Sequence, residues 1–216
     1  MKLKVTLLFC LLTVTLTYAQ YDWTKGELIL KSGDTLKGLI KLPMVSKNMI
    51  AFNGKEKVKF KKNRRSGTEK LDENEVDLVI FKNSDTEIAY FKYIPISKRK
   101  KGLFKIITSG KVSLYARKVS VAHSTVSYNT GINSGVMNSG VWTYWTYAFS
   151  NFNEFYVLRK NEIIASPMIT VRISRSFKKR ATAYFSDCPE LVSKLENKTY
   201  VANDIKEVVD EYNKCQ

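Results

Sequence analysis

The chain predicts an α+β fold: a mainly antiparallel β domain, arranged as a sandwich, open barrel or meander, followed by a helical C-terminal tail packed on it. Two observations carry this. From Glu27 to about Ile173, short β-rich runs alternate with turn residues and no βαβ pattern intervenes. Around Ser174 the hydrophobic period then changes from that of a strand to that of a helix. A third feature, the N-terminus, bears on compartment rather than fold.

Met1-Lys2-Leu3-Lys4 carries two positive charges, and Val5 to Leu16 follows as an uncharged run too short to span a bilayer of about 30 Å as a helix. Thr17-Tyr18-Ala19 supplies small residues at the −3 and −1 positions of a cleavage site. Residues 1–19 therefore read as a cleavable signal peptide, with Gln20 as the mature N-terminus. Cys10 follows Phe9 in mid-run, where a lipoprotein signal would need a small residue, so it belongs to the discarded segment. The expected destination is the periplasm, the outer membrane or the medium.

Removal of residues 1–19 leaves 197, with 34 Lys and Arg against 20 Asp and Glu, a net charge of +14. That length can bury a core, and the 44% hydrophobic content excludes wholesale disorder. No further apolar stretch is long enough to span a membrane. Residues 20–173 form the expected β-rich domain and 174–216 the helical segment.

Glu27 to Lys31 and Leu36 to Leu42 flank Ser32-Gly33-Asp34-Thr35 and predict an opening hairpin. Met49 to Phe52, Lys57 to Lys61, Val76 to Phe81 and Glu87 to Ile94 continue the series, divided by Asn53-Gly54, a polar stretch to Glu75, and Asn83-Ser84-Asp85. Leu103 to Ile107 pairs with Val112 to Ala116 across Thr108-Ser109-Gly110-Lys111. Phe155 to Arg159 and Ile163 to Ala165 suggest a hairpin across Lys160-Asn161-Glu162, with Met168 to Ile173 as an edge strand after Pro167.

In the tail, Phe177, Ala181, Tyr184 and Phe185 share a helical face. Pro189 suits the first position of a second helix carrying Leu191, Val192 and Leu195. Asp204 can cap a third, with Glu207 three residues on as in a capping box, and with Ile205, Val208, Val209 and Tyr212 on one side. Folded back as a hairpin, the last two helices bring together Cys188 and Cys215, the two cysteines left after cleavage. A disulfide there would close a loop of 26 intervening residues and contribute about 3–4 kcal/mol on the chain-entropy model. Two independent thiols or a redox pair are the alternative, with no CxxC spacing or adjacent histidine to activate them.

Gly26-Glu27-Leu28-Ile29-Leu30-Lys31-Ser32-Gly33-Asp34-Thr35-Leu36-Lys37-Gly38-Leu39-Ile40, Gly110-Lys111-Val112-Ser113-Leu114-Tyr115 and Tyr184-Phe185-Ser186-Asp187-Cys188-Pro189-Glu190-Leu191, with Asp204 and Tyr212-Asn213, carry a resemblance over most of the mature chain. It resembles a group of uncharacterised exported proteins of Bacteroidota-type bacteria. The resemblance implies a secreted bacterial protein and brings no catalytic residues with it.

The remaining residue types define function classes. His123 stands alone in a Ser- and Thr-rich stretch without ligands at zinc spacing, which reads as a surface loop; no metal or cofactor is implied. Asp72, Glu73, Glu75 and Asp77 read as a solvated turn rather than a glycosidase pair. There is no G-x-S-x-G elbow and no phosphate loop. Lys55, Lys57, Lys59 and Lys61 alternate with Glu56, Val58 and Phe60, placing a lysine row on one strand face, continued by Lys62, Arg64 and Arg65. Lys98-Arg99-Lys100-Lys101 and Lys178-Lys179-Arg180 add two clusters. Such charge attracts anionic polysaccharide, lipopolysaccharide, extracellular DNA or an envelope protein, or else keeps an edge strand and two turns in solution. No nucleic-acid fold signature accompanies it.

Between Lys118 and Glu154, 35 residues contain no acid, lysine or arginine and end in Val141-Trp142-Thr143-Tyr144-Trp145-Thr146-Tyr147-Ala148-Phe149. Trp142, Tyr144, Trp145 and Tyr147 suit contact with sugar rings, protein or lipid; equally they suit a strand buried on both sides after a flexible loop. The expectation is a non-enzymatic exported protein that binds at the envelope through its basic face, its aromatic segment or both. A hydrolase or other enzyme acting on envelope material, its site assembled only by folding, is the alternative.

Overall fold

A computed structural model describes residues 23–43, 45–47, 56–82, 88–129, 142–171 and 176–215, without the side chains of 45–47, 121–129 and 142–151. The expected signal peptide, the run Met49 to Phe52 and Lys55 lie outside the described residues. The fold is α+β, with mainly antiparallel strands followed by helices that pack on them. Contacts divide the chain into two compact units, Met1–Pro43 with Lys57–Ile88, and Met44–Glu56 with Ala89–Gln216.

In the first unit, β1 (Thr24–Leu30) and β2 (Thr35–Lys41) form the opening hairpin, β6 (Val76–Lys82) pairs with the other side of β1, and β4 (Val58–Lys61) and β5 (Glu69–Leu71) extend the sheet beyond β2. The β1–β2 turn needs its glycine: Gly33 has φ 94°, while Leu30 N–H donates to Asp34 O at 2.8 Å. Leu28, Ile40, Val58, Phe60, Val79 and Phe81 form the buried face. The paired glycines Gly26 and Gly38 let aromatic rings lie flush on that face. A Cβ on Gly26 would stand 3.0 Å from the Phe81 ring, and one on Gly38 would stand 2.8 Å from the Phe60 ring.

In the second unit, β7 (Ile88–Ser97), β8 (Lys100–Thr108), β9 (Val112–Asn129), β10 (Trp142–Arg159) and β11 (Ser166–Ile169) pair in sequence order as an antiparallel meander. The short β3 (Val45–Lys47) runs parallel to β9 at Val119–Val121, an exception to the antiparallel expectation. β9 and β10 are each 18 residues long, far beyond the segments expected at Val112 to Ala116 and Phe155 to Arg159. Residues 119–129 are strand rather than flexible loop, because Val119, Val121, Thr125, Val126 and Tyr128 favour a pleated chain. His123 is therefore in β9, opposite Ala148, and not in a surface loop.

The segment Ile163 to Ala165 is not a strand. Glu162 accepts from Arg159 N–H at 3.0 Å and from Tyr184 Oη–H at 2.6 Å, and Ile163 is turned out to solvent. The widened turn delays re-entry to Ser166, and Pro167 sits in the edge strand β11, where its missing N–H costs no ladder bond.

Three helices cover one face of this sheet: α1 (Phe177–Tyr184), α2 (Pro189–Glu196) and α3 (Ile205–Tyr212). Ala181, Phe185, Leu191, Leu195, Ile205, Val208 and Val209 pack on Val112, Leu114, Val157 and Met168. The Ser176 hydroxyl caps α1 by accepting from Lys179 N–H. Asp204 acts differently from expectation: it ends a 3₁₀ turn (Ala202–Asp204), and its carboxylate reaches back to Val201 N–H at 2.8 Å. Cys188 and Cys215 form the expected disulfide, with Cα atoms 6.3 Å apart. No described helix is long and apolar enough to cross a membrane.

A polar lock closes the helical face. Tyr212 Oη–H donates to Asp187 at 2.5 Å, and Arg159 donates to Asp187 at 2.9 Å and to the Tyr184 carbonyl at 2.7 Å, its guanidinium 4.6 Å from the Tyr184 ring centre. Asn213 exchanges two hydrogen bonds with the Val112 backbone, at 2.8 and 3.0 Å. The Asp187, Tyr212 and Asn213 signature is thus structural. The Tyr212 hydrogen bond, with help from Arg159, holds the Asp187 carboxyl below the usual carboxylate range. A depressed carboxyl contributes stability above its unfolded value of about 3.9, and that contribution fades as pH falls through the lower folded value. Acidification below about pH 4 is expected to loosen α3, read by amide exchange, and Tyr212→Phe is expected to flatten that pH dependence.

Candidate functional site

Alternation assigns the residues of the first sheet to two faces. With Leu28, Gly38, Ile40 and Phe60 inward, Lys25, Glu27, Lys37, Leu39, Lys41, Lys59 and Lys61 face outward. Register places Lys41, Lys59 and Lys70 directly opposite one another on β2, β4 and β5. Like charges opposite one another are unfavourable in a sheet, so nothing in folding selects this row. The lysine row foreseen at β4 is present: Lys57 and Lys59 are exposed, Val58 and Phe60 are buried, and Lys61 is half-buried with its ammonium 4.8 Å from the Trp23 ring centre.

A groove of about 670 Å³ opens on this outer face. Its floor is β1 with its neighbours, presenting Glu27, Leu39 and Ile80, and its rim carries Trp23, Lys25, Lys37, Lys82, Lys62 and Arg64. The last two come from the β4–β5 loop, which an Asx turn holds in shape: Asn63 Oδ1 accepts from Arg65 N–H at 2.9 Å and from Ser66 N–H at 3.0 Å. Among the described residues Glu27 is the one acid lining the groove, with Lys37 3.5 Å and Lys82 3.9 Å away. Of the residues foreseen for binding, Arg64 lines the groove, Lys61 packs on its Trp23, and Lys57, Lys59 and Arg65 stand exposed elsewhere in the unit. Trp23, Lys25, Lys37 and Lys82 were not foreseen, although the same alternation that marked β4 runs through β1 and β2.

The other basic clusters serve the second unit. Lys178 donates to the Glu196 carbonyl at the end of α2, and Arg180 donates to the Met168 carbonyl. Lys98 and Arg99 form the β7–β8 turn, and Lys100 and Lys101 begin β8. The Asp72 to Glu75 cluster is a turn in which Asp72 N–H donates to the Glu75 carboxylate at 3.0 Å, and Lys31 donates to the Glu73 and Glu75 carbonyls at 2.7 and 2.9 Å. Trp142, Tyr144, Trp145 and Tyr147 lie in β10 opposite Asn129, Ser127, Val126 and Ser124; their side chains are outside what the structure describes. Among the described residues no cluster of three or more His, Cys, Asp or Glu could hold a metal ion.

A buried charged group lies on the face of the second sheet away from the helices. Arg117 Nε donates to Glu154 at 3.0 Å, and its Nη1 donates to Glu56 at 2.9 Å; Glu56 also accepts from Leu103 N–H at 2.8 Å. The guanidinium lies 4.5 Å from the Phe104 ring centre, and Glu154 is wholly buried. Burial, reinforced by the Glu154 charge, lifts the Tyr156 phenol above its ordinary range. Here the acids are bound to an arginine and a backbone amide, an arrangement that ties residue 56 to the sheet. No family model, curated protein or solved structure matches the chain.

Proposed function

We propose that this is an exported, non-enzymatic protein that binds anionic polysaccharide of the cell envelope through the outer face of its N-terminal sheet. The observation that carries the reading is the groove itself: among the described residues, five cations from β1, β2, β6 and the β4–β5 loop, with the indole of Trp23 just before β1, surround a floor with a single acid. Clustered ammonium and guanidinium groups attract polyanions at long range, and the half-buried Trp23 indole adds apolar surface for a sugar ring at the rim. The disulfide and the sequence of residues 1–19 support maturation in an oxidising compartment, in keeping with the exported bacterial group the chain resembles.

Retention on immobilised hyaluronan and unsulfated chondroitin in rising salt tests the binding. Wild-type protein is expected to be held at low salt, and Lys62→Glu/Arg64→Glu to bind about tenfold more weakly, because charges within a Debye length of about 10 Å act directly on the ligand. Lys160→Glu/Lys179→Glu, with the same change in net charge outside the groove, is expected to elute near wild type. Passage of wild-type protein through both columns at low salt contradicts the proposal. Intact-mass analysis of natively produced protein is expected to show a chain beginning at Gln20.

A further inference from the structure

Resting on the polysaccharide reading, we infer that Glu27 makes the groove selective for acidic polysaccharides whose charges are separated by uncharged sugar rings, and against densely charged polyanions. Glu27 sits on β1, the middle strand of the groove, paired with Lys37 on β2 and Ile80 on β6; Lys82 is two residues beyond Ile80. The acid is set low, its side chain 27% exposed, while Lys37 and Lys82 ride above it at 74% and 64%. At 3.5 and 3.9 Å neither amine is locked to the carboxylate, since a charge-assisted hydrogen bond closes to about 2.7–2.9 Å. Each ammonium has three donors and keeps some for a ligand above.

A ligand lying in the groove therefore meets alternating demands. Over Glu27 it must be neutral or donate a hydrogen bond, as a sugar hydroxyl does. To either side it must be anionic, to meet Lys25, Lys37, Lys82, Lys62 and Arg64. Leu39, Ile80 and Trp23 offer apolar surface to the ring between. A nucleic-acid strand carries a phosphate about every 3.4 Å and cannot avoid placing one against Glu27. An inorganic polyphosphate is at least as dense. A uronic polysaccharide with one carboxylate per disaccharide can pass a neutral ring over the acid. Selectivity arises from the repulsive element as much as from the attractive ones.

The test titrates wild type, Glu27→Gln and Glu207→Gln with hyaluronan oligosaccharide and with linear polyphosphate of equal total charge. Glu207 is exposed on α3, outside the groove, and its variant matches the change in net charge. Wild type is expected to prefer hyaluronan. Glu27→Gln is expected to strengthen polyphosphate binding about tenfold and hyaluronan binding no more than about twofold, and Glu207→Gln to change neither. An equal rise for both probes in Glu27→Gln, an unchanged ratio, or a wild-type preference for polyphosphate overturns the assignment. Binding of neither probe by wild type overturns the polysaccharide reading beneath it.

Discussion

Replacing Arg117 by Met is expected to lower the stability of the second unit by about 3–5 kcal/mol, the largest single-residue effect in the protein. The reason lies in what is left behind. Glu154 is wholly buried and Glu56 nearly so, and Arg117 is a cation within 3.0 Å of both. Without it, two carboxylates remain in a poorly hydrated site beside Phe104 and Tyr156. Two charges taken from water together roughly balance their desolvation, but one taken alone does not. The double variant Arg117→Met/Glu154→Leu removes the fully buried acid along with its partner and is expected to recover much of the loss. Urea unfolding followed by circular dichroism at 222 nm reads the helices of the same unit. Equal midpoints for wild type and Arg117→Met would mean that the triad is solvated and structurally idle.

The second large effect is expected from Cys215→Ser. The disulfide ties the start of α2 to the residue beyond α3 across a sequence separation of 27, and the chain-entropy model assigns it about 3–4 kcal/mol. Its neighbours depend on it: Asn213 pairs with Val112, Lys111 donates to the Cys215 carbonyl, and Tyr212 holds Asp187. Loss of the bond is expected to increase exchange in the last turn of α3 before the rest of the helical layer. Reductant should shift the wild-type unfolding curve to that of the variant and leave the variant unmoved. Coincident curves for all of them would assign the stability to packing of Leu191, Leu195, Val208 and Val209 alone.

Much of the helical tail was legible because its signals are local. Pro189 opens α2, Leu191 and Leu195 recur at helical spacing, and the hairpin geometry that follows brings Cys188 to Cys215. The opening hairpin was legible for the same reason, through Ser32-Gly33-Asp34. Edge strand β5 was not: Glu69-Lys70-Leu71 has too little alternation to announce itself, and it exists because β4 offers it a partner. The length of β9 was missed because a run rich in Ser, Thr and Asn reads as loop until a facing strand supplies its ladder bonds. Ile163 to Ala165 misled in the opposite direction; the bonds of Glu162 override the strand preference of its isoleucines.

The candidate site was legible in Lys62 and Arg64, which continue the lysine row of β4, and illegible in Lys25, Lys37, Lys82 and its centre. Lys59 and Lys61 follow from alternation within one strand, whereas Glu27 gains its meaning only when β2 and β6 bring Lys37 and Lys82 to it. Likewise, no local pattern links Glu56, Arg117 and Glu154. Those positions stand 61 and 37 residues apart in contacting pairs, and each alone reads as a surface charge.

Amide chemical shifts recorded while hyaluronan oligosaccharide is added to the full chain at low salt test the central claim most directly. Progressive, saturable shifts are expected at Trp23, Lys25, Glu27, Lys37, Leu39 and Ile80, reversed by salt, with α1, α2 and α3 unmoved. A spectrum unchanged at saturating oligosaccharide, or shifts confined to the second unit, would contradict it.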